Sequence, residues 1–223
     1  MLKWIQENKL SEYLSENPRA VPYLEKNLDK VDWSKLSKNP EAIHLLEQNL
    51  DKIDWSNLSL NEAAIPLLLE NPDKIDWSNL SLNVGAIELL KANPEKIVWT
   101  NLSSNPAAMH LLESNMKKID WLMLSENAAA VPLLKHNLDK VNWLMLSTNP
   151  AAIDLLELNL DKVDWRVLSC NPAAMHLLTL DKVDWTMLST NPAAIDLLEL
   201  NQEKVDWFWI SLNPSIFKKI ECI

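Results

Sequence analysis

Apolar positions recur along this chain with a fixed beat. Aligned on its tryptophans, the sequence repeats N-P-x-A-I-x-L-L-E-x-N-L-D-K-V-D-W-x-x-L-S-x, with units opening at Asn17, Asn39, Asn61, Asn83, Asn105, Asn127, Asn149, Asn171 and Asn191. In the unit at Asn39, Ala42, Ile43, Leu45 and Leu46 fall on one side at helical spacing, and Glu41, His44 and Gln48 fall on the other. That is the pattern of an amphipathic helix. Asn39 is placed to cap it, and Pro40 occupies the first helical position, where a missing N–H costs nothing. Asn49 is expected to end the helix in the left-handed conformation. Pro72 and Pro94, each directly after the equivalent asparagine, fit a helix that has stopped. The second half of the unit is shorter. Asp54 is placed to cap a turn or two from Trp55 to Ser59, with Trp55 and Leu58 on one side and Ile53 packing inward from the connector. A strand there, as in a leucine-rich repeat, fits less well, because Trp and Leu are spaced by three and not by two.

Trp33, Trp55, Trp77, Trp99, Trp121, Trp143 and Trp165 are 22 residues apart; Trp185 follows after 20 and Trp207 after 22. A constant period of this length is the mark of a solenoid, in which each unit buries its apolar face against its neighbours. The expected fold is therefore all-α, an α-solenoid of about nine two-helix repeats of 22 residues. Its organisation is expected to be an N-terminal cap over 1–16, the array over 17–212 and a C-terminal cap helix over 213–223. At helix spacings of about 8–10 Å the array would run about 70–90 Å. The indoles are expected to wedge between units as internal spacers, with Trp99→Ala costing about 3–5 kcal/mol. The ends are atypical. Residues 1–16 match the W-x-x-L half with Ser11 in the tryptophan column, and the last stretch replaces the Leu-Leu pair by Lys219 and Ile220.

Departures from the consensus carry their own expectations. In the capping column Asn142 is an acceptable substitute for Asp, and Val98 is the one failure. Pro66 and Pro132 fall in the helix interior, in units whose opening proline is replaced by Glu62 and Ala128; Pro22 follows Pro18 in the same way. These helices are expected to start late or bend. The two residues missing near Thr179 and Leu180 remove the helix-ending asparagine, which predicts a local kink.

The strings DKIDWSNLSLN (Asp51 to Asn61) and NPAAIDLLELNLDKVDW (Asn149 to Trp165) resemble a tandem-repeat family of large double-stranded DNA viruses of algae, amoebae and animals. The resemblance runs from about Glu16 to Pro214 and departs locally at Val98, at Lys117 and at the deletion before Asp181. It implies a helical-repeat protein of viral origin, in host cytoplasm or in the particle, and brings no catalytic motif with it.

Composition narrows the function. Apolar residues make up 48%, ample for a core, and Gly85 is the single glycine, which disfavours glycine-rich phosphate and dinucleotide loops. A net charge of −10 is a poor start for binding nucleic acid. Cys170 and Cys222 lie far apart in the array, which fits a reducing, cytoplasmic setting better than a disulfide framework. The N-terminal stretch is too charged for a signal peptide, and no apolar run reaches the length of a membrane span. There is no G-x-S-x-G, no H-E-x-x-H and no cluster of Cys and His, so neither an enzyme nor a metal or cofactor site is expected.

Four columns remain. His44, His110 and His176 share one, but they stand three units apart, about 25–30 Å by helix spacing, too far to share a metal. His136 stands alone on its unit. A lysine precedes every repeat tryptophan, from Trp33 to Trp207, by three, as in Lys52, Lys140 and Lys162, and the adjacent aspartates argue for a solvated charge near a helix end over an anion site. The two columns after tryptophan turn from polar to apolar midway. Ser34-Lys35, Ser56-Asn57, Ser78-Asn79 and Thr100-Asn101 give way to Leu122-Met123, Leu144-Met145, Arg166-Val167, Thr186-Met187 and Phe208-Trp209. Two readings stay open: an exposed apolar interaction patch, or columns brought inside by a change of curvature. The first makes Leu122, Met123, Leu144, Met145, Val167, Met187, Phe208 and Trp209 the candidate protein interface. The expected function is a non-enzymatic scaffold that binds a protein partner or a second copy of itself, with no nucleic acid and no membrane. The alternative is a structural component of a virus particle or a self-associating assembly protein.

Overall fold

The computed structural model describes residues 12–216, and the expectations for 1–11 and for 217–223 lie outside them. Among the described residues every element is helical and none is a strand, and like elements recur from repeat to repeat, so the fold is an all-α solenoid. The chain divides into two compact units, the first ending at Ser114 and the second beginning at Asn115, inside the repeat that opens at Asn105.

In the first unit the repeat at Asn39 shows how the sequence sets the local structure. Asn39 is extended, and its Oδ1 accepts from the Glu41 amide 3.1 Å away. A 3₁₀ turn over Pro40–Ala42 leads into an α-helix over Ile43–Glu47; a second 3₁₀ turn over Leu50–Lys52 precedes the helix Trp55–Leu58. Asp54 caps that last helix by accepting from the Asn57 amide at 3.1 Å. In the second unit Asn142 does the same for Met145 at 3.0 Å. Val98, with no acceptor in its side chain, leaves the helix Trp99–Ser104 without this bond.

The expectation for the asparagine after each first helix is corrected. Asn49 is not left-handed: its φ is −138°, and no described residue has a positive φ. The side chain ends the helix instead, with Asn49 Nδ2 donating to the Leu45 carbonyl at 2.9 Å, as Asn71, Asn137 and Asn159 do to Leu67, Leu133 and Leu155. That bond satisfies one of the carbonyls a helix terminus leaves open, so glycine-like backbone freedom is not required. The prolines are reconciled by the same geometry. The α-helix proper begins at the Ile or Val column, so Pro22, Pro66 and Pro132 fall at the second helical residue, near an N-terminus where the missing N–H is tolerated. The late start is present, but units without an internal proline share it.

Equivalent elements stack on each other. In the first unit the 3₁₀ turns Pro40–Ala42, Glu62–Ala64 and Val84–Ala86 are in register, as are the helices Trp77–Leu82 and Trp99–Ser104. In the second, Trp121–Glu126 packs on Trp143–Thr148 and that helix on Trp165–Leu168. The turns approach closely enough that Ala42, Ala64, Ala130 and Ala152 are sealed from solvent, which explains a column held at alanine. The fully buried large side chains are leucines: the second of each Leu-Leu pair (Leu46, Leu68, Leu134, Leu156) and the leucine three after tryptophan (Leu58, Leu80, Leu124, Leu146).

The tryptophans are not the core, contrary to the spacer role expected of them. Trp33 to Trp185 are half-buried at the first residue of each second helix, and Trp207 is 71% exposed. At that position the ring lies at the edge of the stack, Trp185 packing against the buried cluster of Leu188, Ala194, Leu198 and Val205, while the leucine one helical turn later is fully buried.

What the leucines leave open is closed by a polar ladder that runs through the core. Ser37, Ser59, Ser125 and Ser147 are fully buried, as are Asn39, Asn61, Asn149 and Asn171 or nearly so. Ser37 Oγ donates to the Trp33 carbonyl at 2.7 Å and accepts the Asp54 amide of the next repeat at 3.1 Å. Asn61 Nδ2 then donates to the Ser37 carbonyl at 3.1 Å, while its Oδ1 caps its own helix through Ala63 N at 3.1 Å. The second unit repeats both links through Ser147, Asp164 and Asn171. Buried polar groups are tolerated because each finds a partner, and here the partner lies in the neighbouring repeat.

The deletion in the unit at Asn171 shows which part is indispensable. After the turn Pro172–Ala174 no α-helix forms; residues 175–177 make a turn only. The ladder survives, with the Asp184 amide on Ser169 Oγ at 3.0 Å and Asn191 Nδ2 on the Ser169 carbonyl at 2.9 Å. At the ends the same logic holds. In the 3₁₀ turn Glu12–Glu16, Ser15 Oγ accepts the Asp32 amide at 3.0 Å, and Asn213 Nδ2 reaches the Ser189 carbonyl at 3.0 Å ahead of the turn Pro214–Ile216.

Candidate interaction surface

The two columns after tryptophan lie on the outer side of the second helices. In the first unit they are tied together by side chains. Ser34 Oγ donates to Asp54 Oδ2 at 2.7 Å, and Asn57 Nδ2 donates to Ser34 Oγ at 2.7 Å and to the Ser34 carbonyl at 3.1 Å. One repeat on, Ser56 Oγ donates to Asp76 Oδ2 at 2.7 Å and Asn79 Nδ2 to Ser56 Oγ at 2.9 Å; Asn101 then donates to Ser78 Oγ at 2.8 Å. The Ser56 hydroxyl foremost, with the Asn79 and Ser78 amides, holds the Asp76 carboxyl below the ordinary carboxylate range. These bonds join the capping aspartate of one repeat to the outer face of the one before.

In the second unit the same positions carry Leu122-Met123 and Leu144-Met145. Leu122 is 43% and Leu144 45% exposed, while Met123, Met145, Val167 and Met187 are half-buried. The serines they replace, Ser34, Ser56 and Ser78, are exposed too, and Asn57 and Asn79 are half-buried too. The change of chemistry is thus unaccompanied by a change of burial. Leu122 and Leu144 stand exposed where the first unit presents a hydrogen-bonded hydroxyl, whereas Arg166 follows in the same column and Thr186, half-buried, keeps the hydroxyl link, its Oγ1 donating to Asp206 Oδ2 at 3.4 Å. Phe208 and Trp209 continue the column, both exposed, their rings edge-to-face at a centroid distance of 5.3 Å. Their amides are held by Asp206 Oδ1 at 3.1 and 3.2 Å.

No family model matches this chain, and neither a curated protein nor a solved structure matches it.

The lysine column has a partner that sequence spacing concealed. Each repeat tryptophan stands three residues after its own lysine, but at Trp33, Trp121, Trp143, Trp165 and Trp185 the ammonium over the ring comes from the next repeat. Lys52 lies over Trp33 at 4.8 Å, Lys140 over Trp121 at 4.7 Å, Lys162 over Trp143 at 5.0 Å, Lys182 over Trp165 at 4.2 Å and Lys204 over Trp185 at 4.7 Å from the ring centroid. Such contacts contribute about 0.5–1 kcal/mol each at exposed sites. Had the columns been compared between neighbouring repeats, the strict co-occurrence of Lys and Trp would have been the signal.

The histidines are dispersed. His44 Nε2 meets Glu25 Oε1 of the preceding repeat, and His176 Nε2 meets Glu157 Oε1 at 2.7 Å, both in exposed settings. His136 Nδ1 lies 2.8 Å from the Pro132 carbonyl. Among the described residues no group of His, Cys, Asp and Glu is arranged to hold a metal ion. Burial pushes the Cys170 thiol up, away from the reactive thiolate. No described helix is long and apolar enough to cross a membrane.

Proposed function

We propose that this chain is a non-enzymatic scaffold that binds a protein through the outer face of its second unit, along Leu122, Met123, Leu144 and Met145 and onward to Phe208 and Trp209. The observation that carries this reading is the pair of exposed leucines in positions where the first unit is satisfied by a serine–aspartate–asparagine ladder. Nothing in the stack requires leucine there, since the repeat closes equally well with serine. Burying one such side chain in a contact is worth about 1.5–3 kcal/mol at most, so several in a row supply a docking face. Methionine beside them suits a surface that adapts to its partner. The test combines co-purification with light scattering on the native chain and on a variant carrying Leu122→Ser, Met123→Asn, Leu144→Ser and Met145→Asn. Loss of a partner, or a halved mass, is expected; a variant that keeps every partner and its mass would reject the face.

A second reading, a structural component of a virus particle, is favoured by the resemblance of the repeat to those of large DNA viruses. The same apolar face would then serve lateral association. Stoichiometric amounts in purified particles would select it, and a host-cytoplasmic pool bound to another protein would select the scaffold.

A further inference from the structure

We propose that the helix-end edge of the repeats between Asn149 and Lys204 is a second docking surface, shaped for a basic amphipathic helix of a partner protein. Leu158 and Leu200 are 74% and 82% exposed, and Leu160 and Leu180 are exposed beside them. Leu158 and Leu200 occupy equivalent positions, each directly after the helices Ile153–Glu157 and Ile195–Glu199. The first unit fills that column with Lys26, Gln48, Glu70, Ala92 and Ser114, all exposed, so the fold has no need of leucine there. Leu158 also forms one lip of a groove of about 320 Å³ between the helices Val131–Lys135 and Ile153–Glu157, with Pro132, Leu155 and Ala151 in its walls and Lys135, His136 and Asp154 at its polar edge. That groove gives an apolar anchor somewhere to insert.

The charge around these leucines selects the partner. Residues 149–204 hold nine Asp and Glu against four Lys and Arg, a net −5 out of the −10 of the whole chain. Asp154, Glu157, Asp196 and Glu199 are exposed on the two helices that precede Leu158 and Leu200. The lysines of these repeats are engaged elsewhere, Lys162, Lys182 and Lys204 lying against the indoles of Trp143, Trp165 and Trp185. An acidic rim around apolar anchors repels nucleic acid and anionic lipid and attracts Lys and Arg. Leu158 and Leu200 stand two repeats apart, about 16–20 Å at ordinary helix spacing. A helix covers that length in about 11–13 residues, three turns with apolar groups on one stripe and basic ones beside it.

The experiment is fluorescence anisotropy of a labelled helical peptide of about 14 residues, leucine on one stripe and lysine elsewhere, titrated with the full chain. Saturable binding is expected, weakened by added salt and weakened about tenfold or more by Leu158→Gln with Leu200→Gln. Both side chains are exposed, so circular dichroism of that double variant should match the native chain. A peptide of the same composition in scrambled order should bind about tenfold more weakly. Leu122→Ser with Leu144→Ser should leave the titration unchanged, which separates this surface from the face proposed above. Absence of binding, equal binding of the scrambled peptide, or full retention by the Leu158/Leu200 variant would each overturn the proposal.

Discussion

The ladder of buried asparagines offers the sharpest test of what holds the repeats together. Asn149 is 2% exposed and does two jobs. Its Oδ1 accepts the Ala151 amide at 3.0 Å, capping its own repeat, and its Nδ2 donates to the Ser125 carbonyl of the preceding repeat at 3.1 Å. Asn149→Ala removes both. Loss of an N-cap costs about 0.5–2 kcal/mol, and a buried carbonyl deprived of its donor costs about 1–3 kcal/mol, so about 1.5–5 kcal/mol together. Asn149→Asp separates the two jobs. Aspartate caps as well as asparagine, but it has no donor and turns a carboxylate oxygen toward the Ser125 carbonyl. If the link between repeats matters, Asn149→Asp should therefore be at least as destabilising as Asn149→Ala. Urea unfolding followed by far-UV circular dichroism measures the difference, and hydrogen exchange at Ala151 reports the cap alone. A stability of Asn149→Asp within about 0.5 kcal/mol of native would show that the asparagine is only a cap and refute the reasoning.

Other consequences are as direct. Trp143→Ala is expected to cost about 1–3 kcal/mol, below the range for a fully buried ring, and Lys162→Ala about 0.5–1 kcal/mol; a double-mutant cycle in urea should return a coupling of the size of the cation–π contact. Val98→Asp supplies the one missing cap in its column and should stabilise the chain by about 0.5–2 kcal/mol, read as a higher urea midpoint; no gain would mean the helix Trp99–Ser104 is held by packing alone. The Asp76 carboxyl is depressed in the folded chain, so its contribution is intact above the ordinary value of 3.8 and is lost as pH falls through the depressed value. Ser56→Ala removes the largest cause and should move the Asp76 carboxyl back up, visible in a carbon-detected NMR titration; an unmoved titration would dismiss the Ser56 bond.

Much of this fold is written in local chemistry, which is why a single sequence reveals it. A capping Asp before most repeat tryptophans, Asn-Pro openings and a Leu-Leu pair each act within a few residues of themselves, and the 22-residue period repeats them. Helices, their starts and the failed cap at Val98 follow from such short-range rules. What crosses from one repeat to the next is invisible to them. Spacing along the chain placed Lys three before Trp and made the lysine look solvated, while its contact is to the ring 19 residues earlier. Ser37 and Asn61 read as a helix end and a cap, and only stacking shows them as the buried bond between repeats. Asn49 ends its helix with a side-chain bond, where a rule about backbone preference expected a left-handed residue. The size of the indole suggested the core, but position on the helix put leucine inside and tryptophan at the rim. The polar-to-apolar switch after Trp121 was legible as letters alone. Whether those leucines faced water was a property of the assembled stack, because exposure depends on what the neighbouring repeats cover.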